Sequence, residues 1–151
     1  MTRKCNQYDG AADHQFDGEA ERIETLAQEV FDGAAKPKWH WREAEKAAVA
    51  WGNNRKRTRA SKFDMLTAAY TYGLSCVFQE SALKGLRKRC KKAGIRTTKD
   101  TPIFVMIVRL LLRGISRSLA GKYATFLRAA VWRGLPPKAL HSGLVNGSIK
   151  I

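Results

Sequence analysis

Apolar residues return every three or four positions along most of this chain, and the polar breaks between the runs divide it into helices. Phe16, Ala20, Ile23, Ala27 and Val30 share one face of a first helix. Asp17 stands where its cap belongs, Glu19 and Glu21 suit the positive end of its dipole, and Gly33 ends it. Beyond the linker Lys36-Pro37-Lys38, a second helix from about Trp39 to Trp51 carries Ala44, Ala47, Ala48 and Trp51 on a small-residue face. Gly52-Asn53-Asn54 is a break. Ser61 then reads as the cap of a third helix, with Phe63, Leu66, Tyr70, Leu74 and Val77 turned inward. A short fourth helix, Ser81 to Ala93, closes at Gly94, where a left-handed backbone costs least.

Thr101-Pro102 opens a fifth element, with proline at the first helical position, where its missing N–H does no harm. Ile103 to Leu112 is apolar nearly all round and predicts a central buried helix, although its β-branched content leaves a strand as the alternative. The sixth helix starts at Ser116 or Ser118 and runs to Arg133, with Leu119, Tyr123, Leu127 and Ala130 on one face. Gly134 stops it, and Pro136-Pro137 starts a last short helix to about Val145. The pattern predicts an all-α fold: a compact orthogonal bundle of six or seven helices forming one domain over residues 16–151, with residues 1–15 as a flexible polar arm.

Composition agrees with a packed core: 44% of the 151 residues are hydrophobic and 27% charged. Net charge changes the picture. At +15 it exceeds the roughly eight charges that solubility asks of a small domain. Residues 1–32 hold eight acids and three bases, whereas residues 33–151 hold five acids against twenty-five bases, and no acid follows Asp100. The positive charge therefore belongs to the helical body, and a polyanion is the partner that justifies its self-repulsion. The acidic N-terminal region is expected to compete weakly with that partner for the basic face.

Three cysteines, Cys5, Cys76 and Cys90, are odd in number and widely spaced, which argues against a disulfide scaffold and for a reducing compartment. No apolar stretch follows Arg3 and Lys4, and the longest apolar run is about half the ~20 residues of a membrane span. These features predict a cytoplasmic protein, nucleoid-associated if bacterial, with no membrane partner.

Two segments carry the densest charge. The first holds Arg55, Lys56, Arg57, Arg59 and Lys62. The second holds Lys84, Arg87, Lys88, Arg89, Lys91, Lys92, Arg96 and Lys99, and no acid lies between Ser81 and Lys99. On a helix Leu83, Leu86 and Cys90 form a narrow inward stripe, so the bases fan over the remaining surface. An ordinary solvated helix mixes Glu with Lys at four-residue spacing, whereas this pattern suits phosphate contacts, which release condensed counterions. A third stretch, Val108 to Thr125, has the form of a helix-turn-helix: an apolar helix, a turn at Gly114-Ile115-Ser116, and a second helix presenting Arg117, Ser118, Lys122 and Thr125. A plain core hairpin has the same outline. Lastly, Trp39-His40-Trp41 lies among Lys36, Lys38 and Arg42, an interleaving that suits base stacking, or else Trp39 staples the helix start while Trp41 and Trp51 pack the core.

For catalysis there is little. His14, His40 and His141 are scattered, and His40 with Glu43 is a single pair on one helix face. No paired-cysteine, HExxH, phosphate-loop or GxSxG pattern occurs, so no cofactor or metal and no enzymatic activity is expected. The segment from Lys122 to Pro136 resembles small helical proteins of bacterial plasmids and phages, without a pattern that names a family. The expectation is a nucleic-acid-binding regulatory or accessory protein, with duplex DNA ahead of RNA or single strands. A module for an acidic protein partner, or a homodimer, is the alternative.

Overall fold

A computed structural model describes residues 18–32, 34–53, 59–113 and 116–151. Among these, the chain forms seven α-helices and no strand: α1 (Glu19–Phe31), α2 (Pro37–Asn53), α3 (Arg59–Ser75), α4 (Glu80–Lys92), α5 (Ile103–Leu111), α6 (Arg117–Trp132) and α7 (Pro137–Asn146). A single 3-10 turn, Cys76–Phe78, follows α3 directly. The all-α bundle expected from the periodicity is therefore present, and the run at 103–112 is a helix, not a strand. The arm 1–15, Phe16, the Asp17 cap, Gly33, the run Arg55-Lys56-Arg57, and Gly114-Ile115 lie outside the described residues. No helix among the described residues is long and apolar enough to cross a membrane.

Helix ends follow backbone chemistry. Gly94, at φ +78°, lets the Ile95 N–H donate to Cys90 O at 2.9 Å and the Gly94 N–H to Lys91 O at 3.1 Å, which satisfies the last carbonyls of α4. Gly134 closes α6 in the same way, with Leu135 N on Ala130 O and Gly134 N on Val131 O. The Ser116 side chain, not Ser118, caps α6 by accepting from Leu119 N at 3.1 Å.

Several boundaries differ from the periodic reading. Helix α2 starts at Pro37, because proline is preorganised for the first helical position, so only Ala34–Lys36 remain as linker. Arg59 and Ala60 extend α3 upstream, which puts Ser61 inside the first turn instead of before it. Glu80, one residue before the expected start at Ser81, begins α4, where its charge meets the positive helix end, and Gln79 is at the cap position. Pro102 is the cap of α5 and not its first residue. In α1, Leu26 joins Ile23 and Ala27 in the core while Ala20 faces solvent. Val77 is 39% exposed, because the 3-10 turn has three residues per turn and rotates the pattern after Ser75: Cys76 is buried instead.

Helices α2 and α3 form the most extensive pair, and α5 packs on α6, α3 and α4. Phe104, Met106, Ile107 and Val108 of α5 are essentially inaccessible, as are Tyr70, Tyr72 and Leu74 of α3. Tyr70 and Phe104 stack with centroids 5.7 Å apart, and Tyr70 OH donates to Leu135 O at 2.7 Å, tying α3 to the α6–α7 connection. Close approach of α3 and α5 depends on Gly73, since a Cβ there would overlap the Phe104 ring, only 2.8 Å from Cζ. Trp41 lies against Tyr72, so the central scaffold is aromatic as well as aliphatic. This core fixes the positions of α4, α5 and the start of α6, on which the cationic surface is built.

Candidate nucleic-acid interface

The inward stripe of α4 is as its spacing demands: Leu86 and Cys90 are fully buried and Leu83 half-buried. Burial pushes the Cys90 thiol up from its ordinary pKa, with Arg109 and Arg87 opposing, so this cysteine is a small core hydrophobe. The opposite side of α4 is cationic. Lys84, Arg87, Lys88 and Lys91 line a groove of about 780 Å³ with Arg96 and the 94–98 segment.

That groove adjoins a second, of about 480 Å³, through the shared residues Gly94, Ile95 and Arg96. The second is lined by Arg109, Arg113 and Arg117 as well, from the outer edge of α5, its end and the first residue of α6. Arg113 leads to a third groove of about 750 Å³, where Arg89 and Lys92 stand near Trp41 and Glu45. Among the described residues, ten Lys and Arg line these three connected grooves, and Glu45 is the one acid with them.

Two of the ten are already engaged. The Arg87 guanidinium donates to Thr98 O at 2.8 Å and to Lys99 O at 3.2 Å, pinning the connection between α4 and α5. The Arg89 guanidinium lies 4.8 Å from the centre of the Trp41 ring. These two shape the surface, and the remaining eight have no ion pair with a described residue.

Eight of the residues singled out from the sequence thus line connected grooves: Lys84, Arg87, Lys88, Arg89, Lys91, Lys92, Arg96 and Arg117. Arg59, Lys62, Lys99 and Lys122 do not line them; Lys62 instead lies over the Phe63 ring at 5.6 Å, and Lys122 is exposed farther along α6. Arg55, Lys56 and Arg57 fall outside the described residues. Arg109 and Arg113 were not among the expected site residues. Their signal is two arginines four apart in an otherwise apolar run, which marks the solvent edge of a buried helix.

Helix α6 turns Arg117, Ser118, Lys122 and Thr125 outward and buries Ala120, Tyr123, Ala124 and Leu127. The outward face of the hairpin is therefore polar and small, with Gly121 open to solvent. Acidic α1 has its main neighbours in α6 and α3. Its Glu19 accepts from Arg128 Nε at 2.7 Å, so the carboxylate pairs with a cation outside the three grooves.

Trp39 is 54% exposed, whereas Trp41 and Trp51 are core residues. Trp39 meets His40 edge-on and does not staple the helix start. His40 also packs on Phe31, and its burial lowers its pKa against the opposing pull of Glu43. His141 sits 2.9 Å from Asp64, joining α7 to α3. No group of three metal-ligating side chains exists among the described residues. No protein-family model, no curated protein and no solved structure matches this chain.

Proposed function

We propose that the protein is a non-enzymatic nucleic-acid-binding protein of regulatory or accessory type, which holds duplex DNA by its phosphates along the connected grooves. One observation carries the reading: among the described residues, ten cations against one acid line three adjoining concavities spanning α4, the α4–α5 connection, α5 and the start of α6. Phosphate contacts of this kind give affinity without sequence choice. The hairpin of α5 and α6, with Arg117, Ser118, Lys122 and Thr125 outward, is the element suited to base edges. The test is fluorescence anisotropy of a labelled mixed-sequence duplex at about 50 and 200 mM salt, with a loss of about a thousandfold or more expected between them. Absence of binding at the lower salt rejects the reading and favours an acidic protein partner.

A second reading, single-stranded DNA or RNA, is favoured by Trp39, which is exposed beside Lys38 and Arg42 on α2. Because Trp41 and Trp51 are buried, quenching by an oligonucleotide reports chiefly on Trp39 and on the half-buried Trp132. Quenching by single strands that Trp39→Leu abolishes, without quenching by duplex, selects this reading.

A further inference from the structure

Four arginines from three parts of the fold converge on one concavity. Arg96 comes from the α4–α5 connection, Arg109 from α5, Arg113 from just beyond its end, and Arg117 from the first residue of α6. All four are exposed, and among the described residues none pairs with a carboxylate and no acid lines the groove. Ile95, Leu112 and Ala120 form its apolar part.

The cluster differs from the lysine-rich groove on α4 in three ways. Every cation here is a guanidinium, whose planar fork offers two parallel donors to phosphate oxygens and stays charged among like charges. The volume is smaller, about 480 Å³ against about 780 Å³, with both inside the range of small-ligand sites. The amino end of the sixteen-residue helix α6, capped by Ser116, adds its dipole to the same potential. Four like charges gathered in one hollow repel until a dense anion enters. A single-sign field spread for solubility alone has no reason to concentrate there.

We propose that this groove is a discrete, saturable phosphate site that grips phosphate oxygens through paired guanidinium contacts, between the end of α5 and the first turn of α6. It rests on the nucleic-acid reading only for the source of the phosphate, which is then a strand held at the hairpin. The alternative source is the polyphosphate of a free nucleotide, and the experiment separates the two.

The probe is inorganic tripolyphosphate, titrated calorimetrically into the full-length protein at low salt, followed by labelled duplex. The variants are Arg113→Gln, Arg113→Lys, and the triple Lys84→Gln/Lys88→Gln/Lys91→Gln as control, each checked for helix content by circular dichroism. One equivalent of tripolyphosphate is expected to bind. Arg113→Gln weakens it about tenfold or more, as for loss of a charge-assisted bond, and the triple lysine variant changes it much less. Arg113→Lys keeps the charge but not the fork, and recovers only part of the loss. Non-saturable binding, or equal weakening by the lysine and arginine sets, overturns the proposal. Tripolyphosphate bound at the arginines, with no nucleic acid bound, leaves the site standing for a free polyphosphate and removes the DNA reading. Duplex bound at wild-type strength by Arg113→Gln, with no tripolyphosphate site, does the reverse.

Discussion

Replacing Lys84, Lys88 and Lys91 together by glutamine removes three charges from one groove without touching the core. All three side chains are exposed on α4, and none has a hydrogen bond or ion pair with a described residue. Of the ten cations along the grooves, Arg87 is occupied by two carbonyls and Arg89 by Trp41, which leaves eight for phosphates. If all eight meet phosphates, the plot of log K against log salt has a slope of about −7, at about −0.9 per phosphate on B-DNA. Three fewer contacts flatten that slope by about 2.7, which at 0.1 M salt is a weakening of roughly 500-fold, or about 4 kcal/mol. The assay is anisotropy of a labelled duplex over a salt series, with urea unfolding to show unchanged stability. A slope that stays the same, whatever happens to affinity at a single salt, refutes the claim that these lysines meet phosphates.

Three further outcomes follow from the packing. Arg87→Ala releases the exposed carbonyls of Thr98 and Lys99 to water, so it lowers stability by about 0.5–1.5 kcal/mol and speeds amide exchange around residues 96–99, unlike Lys88→Ala. Gly73→Ala drives a methyl into the Phe104 ring and destabilises by about 1–3 kcal/mol in urea unfolding; pairing it with Phe104→Leu recovers part of the loss. Burial pushes the Cys76 thiol up to about 12 from 9.0, so the folded state holds its proton where the unfolded chain has lost it. Its contribution to stability is complete below pH 9 and declines as pH rises toward 12. A Cys5→Ser protein should accordingly react with a thiol reagent at pH 8 only after denaturation, since Cys76 and Cys90 are both buried.

What could be read in the chain was what local periodicity controls. The Leu83, Leu86, Cys90 stripe places the α4 cations outward by geometry alone, and glycine at 94 and 134 marks helix ends because those backbones turn left-handed. What escaped depends on phase changes and on distant neighbours. Val77 fails as a core residue because it lies inside the 3-10 turn Cys76–Phe78, whose tighter winding breaks the register of α3. Arg109 inside the apolar run Ile103 to Leu112, and Arg113 directly after it, were hidden by that run. Their meaning comes from Arg96 and Arg117, which only the packing of α5 between its neighbours brings to the same hollow. The same holds for Arg87 and Arg89. Sequence shows two more charges on a basic helix, and the fold shows one holding a loop and one lying on a tryptophan.

On the proposed function, phosphates lie along the grooves between residues 84 and 117. Amide hydrogen exchange of the full-length protein with and without a duplex maps that contact directly. Protection that rises over α4, the 94–98 segment and the first turn of α6, and stays flat over α7, is the predicted pattern. Protection confined to α7 or α1, or a duplex that binds tightly and leaves residues 84–117 unchanged, contradicts it.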